Sequence, residues 1–143
     1  MITFFDSHLH IIDPRFPLIE NQGFMPEPFT CGDYVNRTSD FQVVGGAVVS
    51  GSFQGFDQTY LMDALHKLGP TYVGVTQIPH TVADEDIVSL NEHGVRAVRF
   101  NVKRGGSEDI SQLEYFAARV YELVGWHVEL YIDSKSLSDI AQT

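Results

Sequence analysis

Cysteine is almost missing from this chain: Cys31 is the single one among 143 residues, so no internal disulfide can form. Positive charge is scarce as well. Nine Lys and Arg face nineteen Asp and Glu, for a formal charge of -10 and a pI near 4.8, a balance that disfavours a sequence-blind grip on nucleic acid or on an anionic membrane surface. The start, Met1-Ile2-Thr3-Phe4-Phe5-Asp6, lacks a basic stretch leading into a long apolar run, and no apolar stretch approaches the roughly 18 to 20 residues of a membrane span. The expected compartment is therefore the cytoplasm. No glycine-rich phosphate loop follows the first strand-like run, and no acidic cluster suggests a phosphoacceptor. What is present is a hydrophobic fraction of 43% with 12% aromatics, enough for one packed domain over residues 1–143.

Five β-rich runs alternate with stretches of helical spacing. The strand-like runs are Ile2 to Leu9, Val43 to Ser50, Tyr72 to Ile78, Val95 to Val102 and His127 to Asp133. Asp57 to Leu68 carries Tyr60, Leu61, Ala64, Leu65 and Leu68 as one apolar stripe, stopped by Gly69-Pro70; Asp84 to Glu92 is a shorter helix. Leu113, Phe116, Ala117, Val120 and Val124 form a third stripe, with Ser111 and Glu114 spaced as a capping box and Gly125 as its end. Ser136 to Ala141 reads as the start of a further helix. Ile11 to Thr30, with Pro14, Pro17, Pro26 and Pro28, reads as a long ordered loop.

This alternation predicts a parallel sheet with right-handed crossovers. A complete doubly wound sheet fits the length, whereas the side-chain pattern favours part of a TIM (β/α)8 barrel. In the fifth run His127, Glu129, Tyr131 and Asp133 oppose Val128, Leu130 and Ile132; in the fourth, Ala97, Arg99 and Asn101 oppose Val98, Phe100 and Val102. A doubly wound sheet wants both faces apolar, and a barrel interior that opens into a site does not. The expectation is an α/β fold of TIM-barrel type, about five parallel βα units in sequence order, apparently cut after the fifth strand. Its open edges predict association with a second copy.

Asp6-Ser7-His8-Leu9-His10 ends the first strand. Alternation puts Asp6, His8 and His10 on one face, and two imidazoles roughly 7 Å apart at the backbone can converge on one divalent ion. Chance spacing of two solvated histidines is the competing explanation. Of the nine basic residues, Arg96, Arg99, Lys103 and Arg104 crowd into nine positions. Arg99 lies on the polar face, where its fork could hold a carboxylate, unless it simply pairs with a surface acid. Tyr131 and Asp133 are candidate hydrogen-bonding groups at the same rim. His80 reads as a solvated loop residue and Cys31 as a small buried one.

Taken together, Asp6-Ser7-His8-Leu9-His10, Gln58 to Leu65, Gly94-Val95-Arg96-Ala97-Val98-Arg99-Phe100-Asn101 and Gly125-Trp126-His127-Val128-Glu129 resemble the amidohydrolase superfamily. They are most similar to its lactonase-like branch, which includes pyrone dicarboxylate and sugar lactonases. The resemblance implies a hydrolase that opens a lactone or amide bond of a small carboxylate-bearing substrate. It assigns His8 and His10 as ligands of a divalent metal, zinc first, or as groups polarising the substrate carbonyl without metal. It likewise assigns Arg99 and Arg104 to the substrate carboxylate and Tyr131 to substrate binding. Family members carry a histidine on the sixth strand and a basic aspartate on the eighth, neither of which stands in these 143 residues. The implied alternative is an inactive barrel fragment that works only by associating with a partner or a second copy.

Overall fold

A computed structural model describes residues 1–141. Strands β1 (Thr3–Leu9), β2 (Gln42–Val49), β3 (Tyr72–Thr76), β4 (Val95–Asn101) and β5 (His127–Tyr131) alternate with helices α1 (Cys31–Arg37), α2 (Thr59–Leu68), α3 (Asp84–Glu92) and α4 (Leu113–Val124). All neighbouring strands pair in parallel, in the order β1-β2-β3-β4-β5. That sequential order, as opposed to one with β1 between β2 and β3, makes the sheet a half-barrel.

Two apolar layers result from strand alternation. On the helix side Leu9, Val48, Val98 and Phe100 pack with Leu61, Leu65, Ile87, Phe116, Val120 and Trp126, all buried. Burying each large side chain of this set contributes about 1.5–3 kcal/mol. Trp126 also has a polar anchor, since its indole N–H donates to Asn91 Oδ1 at 3.0 Å. The inner face is thinner: Val49, Val75 and Ala97, adjacent across β2, β3 and β4, form a small separate cluster. Above it, toward the C-terminal strand ends, polar residues take over on the same face.

Four details depart from the sequence expectation. The helix α1 emerges from the proline-bearing segment, nucleated by a capping box in which Thr30 Oγ accepts from the Asp33 N–H and the Asp33 carboxylate accepts from the Thr30 N–H. The Ser111–Glu114 capping box does not form; Asp109 instead caps a 3-10 turn, Ile110–Gln112, that leads into α4. After β5 the chain makes a 3-10 turn over Ser134–Asp139 rather than a regular helix over Ser136 to Ala141, because Asp133 accepts from the Lys135 N–H and holds the tighter start. Cys31 is half-buried at the first position of α1, and that burial pushes its thiol pKa up. No helix among the described residues is long and apolar enough to cross a membrane.

Candidate active site

The C-terminal rim of the half-barrel encloses a cavity of about 330 Å³, lined by His8, His10, Phe24, Gly51, Ser52, Phe53, Arg99, Asn101, Arg104 and Tyr131. All five residues singled out from the sequence, His8, His10, Arg99, Arg104 and Tyr131, therefore meet in one place. Asp6 does not join them. Pairing between β1 and β2 shifts by one residue between Asp6 and Leu9, and this slip reverses the alternation. Asp6 consequently turns to the helix side, where its carboxylate accepts from the Tyr34 hydroxyl at 3.2 Å, and the two histidines turn inward.

His8 and His10 stand edge to face, ring centroids 5.0 Å apart. The Nδ1 of His10 lies 2.7 Å from the Val49 carbonyl oxygen. A carbonyl can only accept, so Nδ1 carries the proton and Nε2 the lone pair. Burial, followed by the like charge of His8 and Arg99, keeps the His10 pKa below its usual value against the opposing pull of that carbonyl. The ring is therefore neutral at neutral pH, with an open nitrogen lone pair.

Arg99 is the electrostatic centre. It is only 7% exposed. Its Nη1 donates to the Ser50 carbonyl at 2.8 Å, and its guanidinium sits 5.0 Å above the Tyr131 ring. Desolvation pulls its pKa down, opposed by Glu129, its register partner on β5, and then by Tyr131 and Tyr60. Among the described residues it forms no direct ion pair, and the nearest acid in register, Glu129 on β5, is engaged by His127. A buried guanidinium without a counter-ion is expensive, and a carboxylate entering the cavity would relieve it. None of the cavity-lining residues is Asp or Glu. Glu129 accepts from His127, Asp133 caps the turn after β5, and the buried Asp13 is paired with Arg15 at 2.7 Å. Asp133 and Glu129 thus lie off the cavity wall.

The rim loops lock together through side-chain amides that the sequence pattern did not single out. Gln77, fully buried at the end of β3, points Nε2 at the carbonyl oxygens of Gly51, Gly55 and Gly106. Gly106, at φ +78, presses on the Ser52 backbone so closely that a Cβ there would lie 2.6 Å from the Ser52 carbonyl oxygen. Ser52 itself, buried and on the cavity wall, accepts from Asn21 Nδ2 at 2.8 Å. His80 is not free in solvent either. Its backbone N–H and Nδ1 both reach Glu108 Oε2, at 2.7 and 2.8 Å, tying the loop after β3 to the loop after β4.

The α/β half-barrel thus gathers its paired histidines and a buried arginine at the C-terminal rim of the sheet, the end at which TIM-barrel folds carry their sites. The amidohydrolase family profile matches residues 5–142, and the chain belongs to that family. A 2-pyrone-4,6-dicarboxylate hydrolase of Comamonas testosteroni is 27% identical over 139 residues, covering 94% of this chain and 45% of the relative. Among solved structures, a probable 2-pyrone-4,6-dicarboxylic acid hydrolase of Acinetobacter baumannii with citric acid bound superposes with a TM-score of 0.83 at 22% identity, over 96% of this chain and 52% of that one. An apo protein of Agrobacterium tumefaciens gives 0.81 at 20% identity, over 94% and 50%. The chain thus spans about half the length of the relatives it matches.

Proposed function

We propose that this chain contributes the anion-holding and carbonyl-activating half of a hydrolase that opens a cyclic ester, or an amide, of a small carboxylate-bearing substrate. The observation that carries the reading is Arg99, a buried guanidinium in no direct ion pair, facing the same cavity as His8, His10 and Arg104. In this reading Arg99 and Arg104 grip the substrate carboxylate, Arg99 through its planar fork. Tyr131 supports the Arg99 guanidinium from one face and donates its hydroxyl to the ligand. His8 lies at the mouth and can donate a ring N–H to the scissile carbonyl, while His10 offers a lone pair.

A divalent ion would take His8 and His10 as ligands, but catalytic zinc sites use three protein ligands. Asp6 has turned away, and among the described residues no group of three or more His, Cys, Asp or Glu could hold an ion. These residues alone do not complete a metal centre, so no step is routed through a metal. A zinc titration of the protein and of a His8→Ala, His10→Ala double variant checks this: tight uptake that the double variant abolishes would restore the metal-ligand role. A water-activating carboxylate is likewise absent from the cavity wall, and loss of a positioned general base typically lowers rate by about 10² to 10⁴. The 143-residue chain alone is expected to bind without turnover, and to self-associate through the unpaired edges of β1 and β5. Titration with 2-pyrone-4,6-dicarboxylate and with citrate, a hydrolysis assay on the same sample, and light scattering on the eluting species test the reading. Failure to bind either carboxylate would overturn it.

A further inference from the structure

We propose that Asn21 is a positioning residue of the cavity, an inference that rests on the anion-site reading above. Asn21 is not on the cavity wall. It opens a four-residue turn, Asn21 to Phe24, in which Asn21 and Phe24 exchange backbone hydrogen bonds of 3.0 Å in both directions. The central residues, Gln22 at φ 53 and Gly23 at φ 78, are both left-handed, the geometry of a tight type I′ turn. The turn is closed by its own backbone, which leaves the Asn21 side chain free to reach elsewhere.

It reaches two other loops. Nδ2 donates to Ser52 Oγ at 2.8 Å, in the loop after β2, and to the Arg104 carbonyl oxygen at 3.1 Å, in the loop after β4. Both amide hydrogens are used, and because a carbonyl only accepts, the orientation of the amide is fixed. Two consequences for the cavity follow. Ser52 Oγ, as acceptor from Asn21, keeps its own proton to donate to an anion beside it. The Arg104 peptide is held from both ends, its N–H by Asn101 Oδ1 at 3.0 Å and its carbonyl by Asn21, which fixes the point from which its guanidinium extends. Asn21 thus joins the segment after β1 to both loops that carry ligand-facing groups, without touching the ligand.

The test is citrate affinity by titration calorimetry for the full chain and for Asn21→Asp, Asn21→Ala, Ser52→Ala and the Asn21→Asp, Ser52→Ala double variant, each at low and high salt. Aspartate suits the first position of the turn as well as asparagine does, but it replaces both donors with acceptors. Two lost hydrogen bonds predict a Kd about 5- to 30-fold weaker for Asn21→Asp. Asn21→Ala, which adds no charge, should weaken it comparably and stands in if the aspartate variant does not fold. If Asn21 acts through Ser52, the double variant loses less than the product of the two single losses. Wild-type affinity in both Asn21 variants, or an Asn21→Asp loss that disappears at high salt while Asn21→Ala binds normally, would each overturn the positioning role alone. If the unsubstituted chain binds neither citrate nor 2-pyrone-4,6-dicarboxylate, the anion-site reading falls, and this inference with it.

Discussion

Replacing Arg99 by methionine should separate stability from binding. Methionine roughly preserves the aliphatic volume and removes the charge. In the folded protein this loses one charge-assisted hydrogen bond to the Ser50 carbonyl and the contact with the Tyr131 ring, together about 2–4 kcal/mol. Against that loss stands relief from burying a guanidinium that is 7% exposed and makes no direct ion pair, which in real proteins amounts to several kcal/mol per ion. The two effects nearly cancel, so Tm should change by only a few degrees. Binding has no such compensation. A two-pronged grip on a carboxylate forms two charge-assisted hydrogen bonds, about 3–4 kcal/mol, so Kd for a dicarboxylate should rise about 10²- to 10³-fold. Arg99→Lys, which keeps the charge but not the fork, should fall between. Calorimetric titration with 2-pyrone-4,6-dicarboxylate, beside thermal unfolding followed by circular dichroism, measures both quantities. Undiminished affinity in Arg99→Met, or a collapse of Tm with affinity retained, would refute the argument that Arg99 is held uncompensated for an anionic ligand.

Other outcomes can be stated as directly. Gly106→Ala places a Cβ 2.6 Å from the Ser52 carbonyl oxygen at a φ of +78, and should lower Tm by about 5–10 °C in a thermal melt. Gln77→Leu strips the donors from the carbonyls of Gly51, Gly55 and Gly106; hydrogen exchange should become faster in the loops after β2 and β4 and stay unchanged in α3, and uniform acceleration would contradict the local role. Burial pushes the Glu108 pKa up, but the N–H groups of His80 and Asp109 and the His80 ring outweigh it and hold the carboxyl below the ordinary value of 4.5. A depressed carboxylate contributes stability that is complete above its unfolded value and is lost as pH falls through the folded one. Urea midpoints should therefore drop below about pH 4.5 in the wild type and drop less steeply in Glu108→Gln.

The fold was legible because alternation in β4 and β5 is one-sided. Arg99 and Asn101 oppose Val98 and Phe100, and the structure seats the apolar pair against α4 while the polar pair closes the rim. The stripes of α2 and α4 were equally plain, since Tyr60, Leu61, Ala64 and Leu65, and Phe116 and Val120, are all buried. What stayed hidden arose where a short-range signal lost to its surroundings. Helix α1 has only seven residues, too few for a period to emerge, although Thr30 and Asp33 form the capping box that the spacing of Ser111 and Glu114 suggests elsewhere. Strict alternation puts Asp6 on the wrong face because it cannot anticipate a one-residue slip in β1. Ser52, Asn21 and Gln77 were invisible for a different reason: each acts through one amide or hydroxyl on residues 22 to 83 positions away, and no local pattern encodes such a contact.

Because the strands lie side by side in the order in which they occur along the chain, each βα unit finds its docking surface already made when it leaves the ribosome. No strand must wait for a later one to be inserted between it and its neighbour, and the loops to be closed stay short in comparison with a sheet of interleaved order. Growth of such a sheet is vectorial, and at every stage the newest strand is its exposed border. A pause during synthesis would therefore leave a shorter sheet of the same architecture, a property that suits gene fusion, domain splitting and reassembly by complementary pieces.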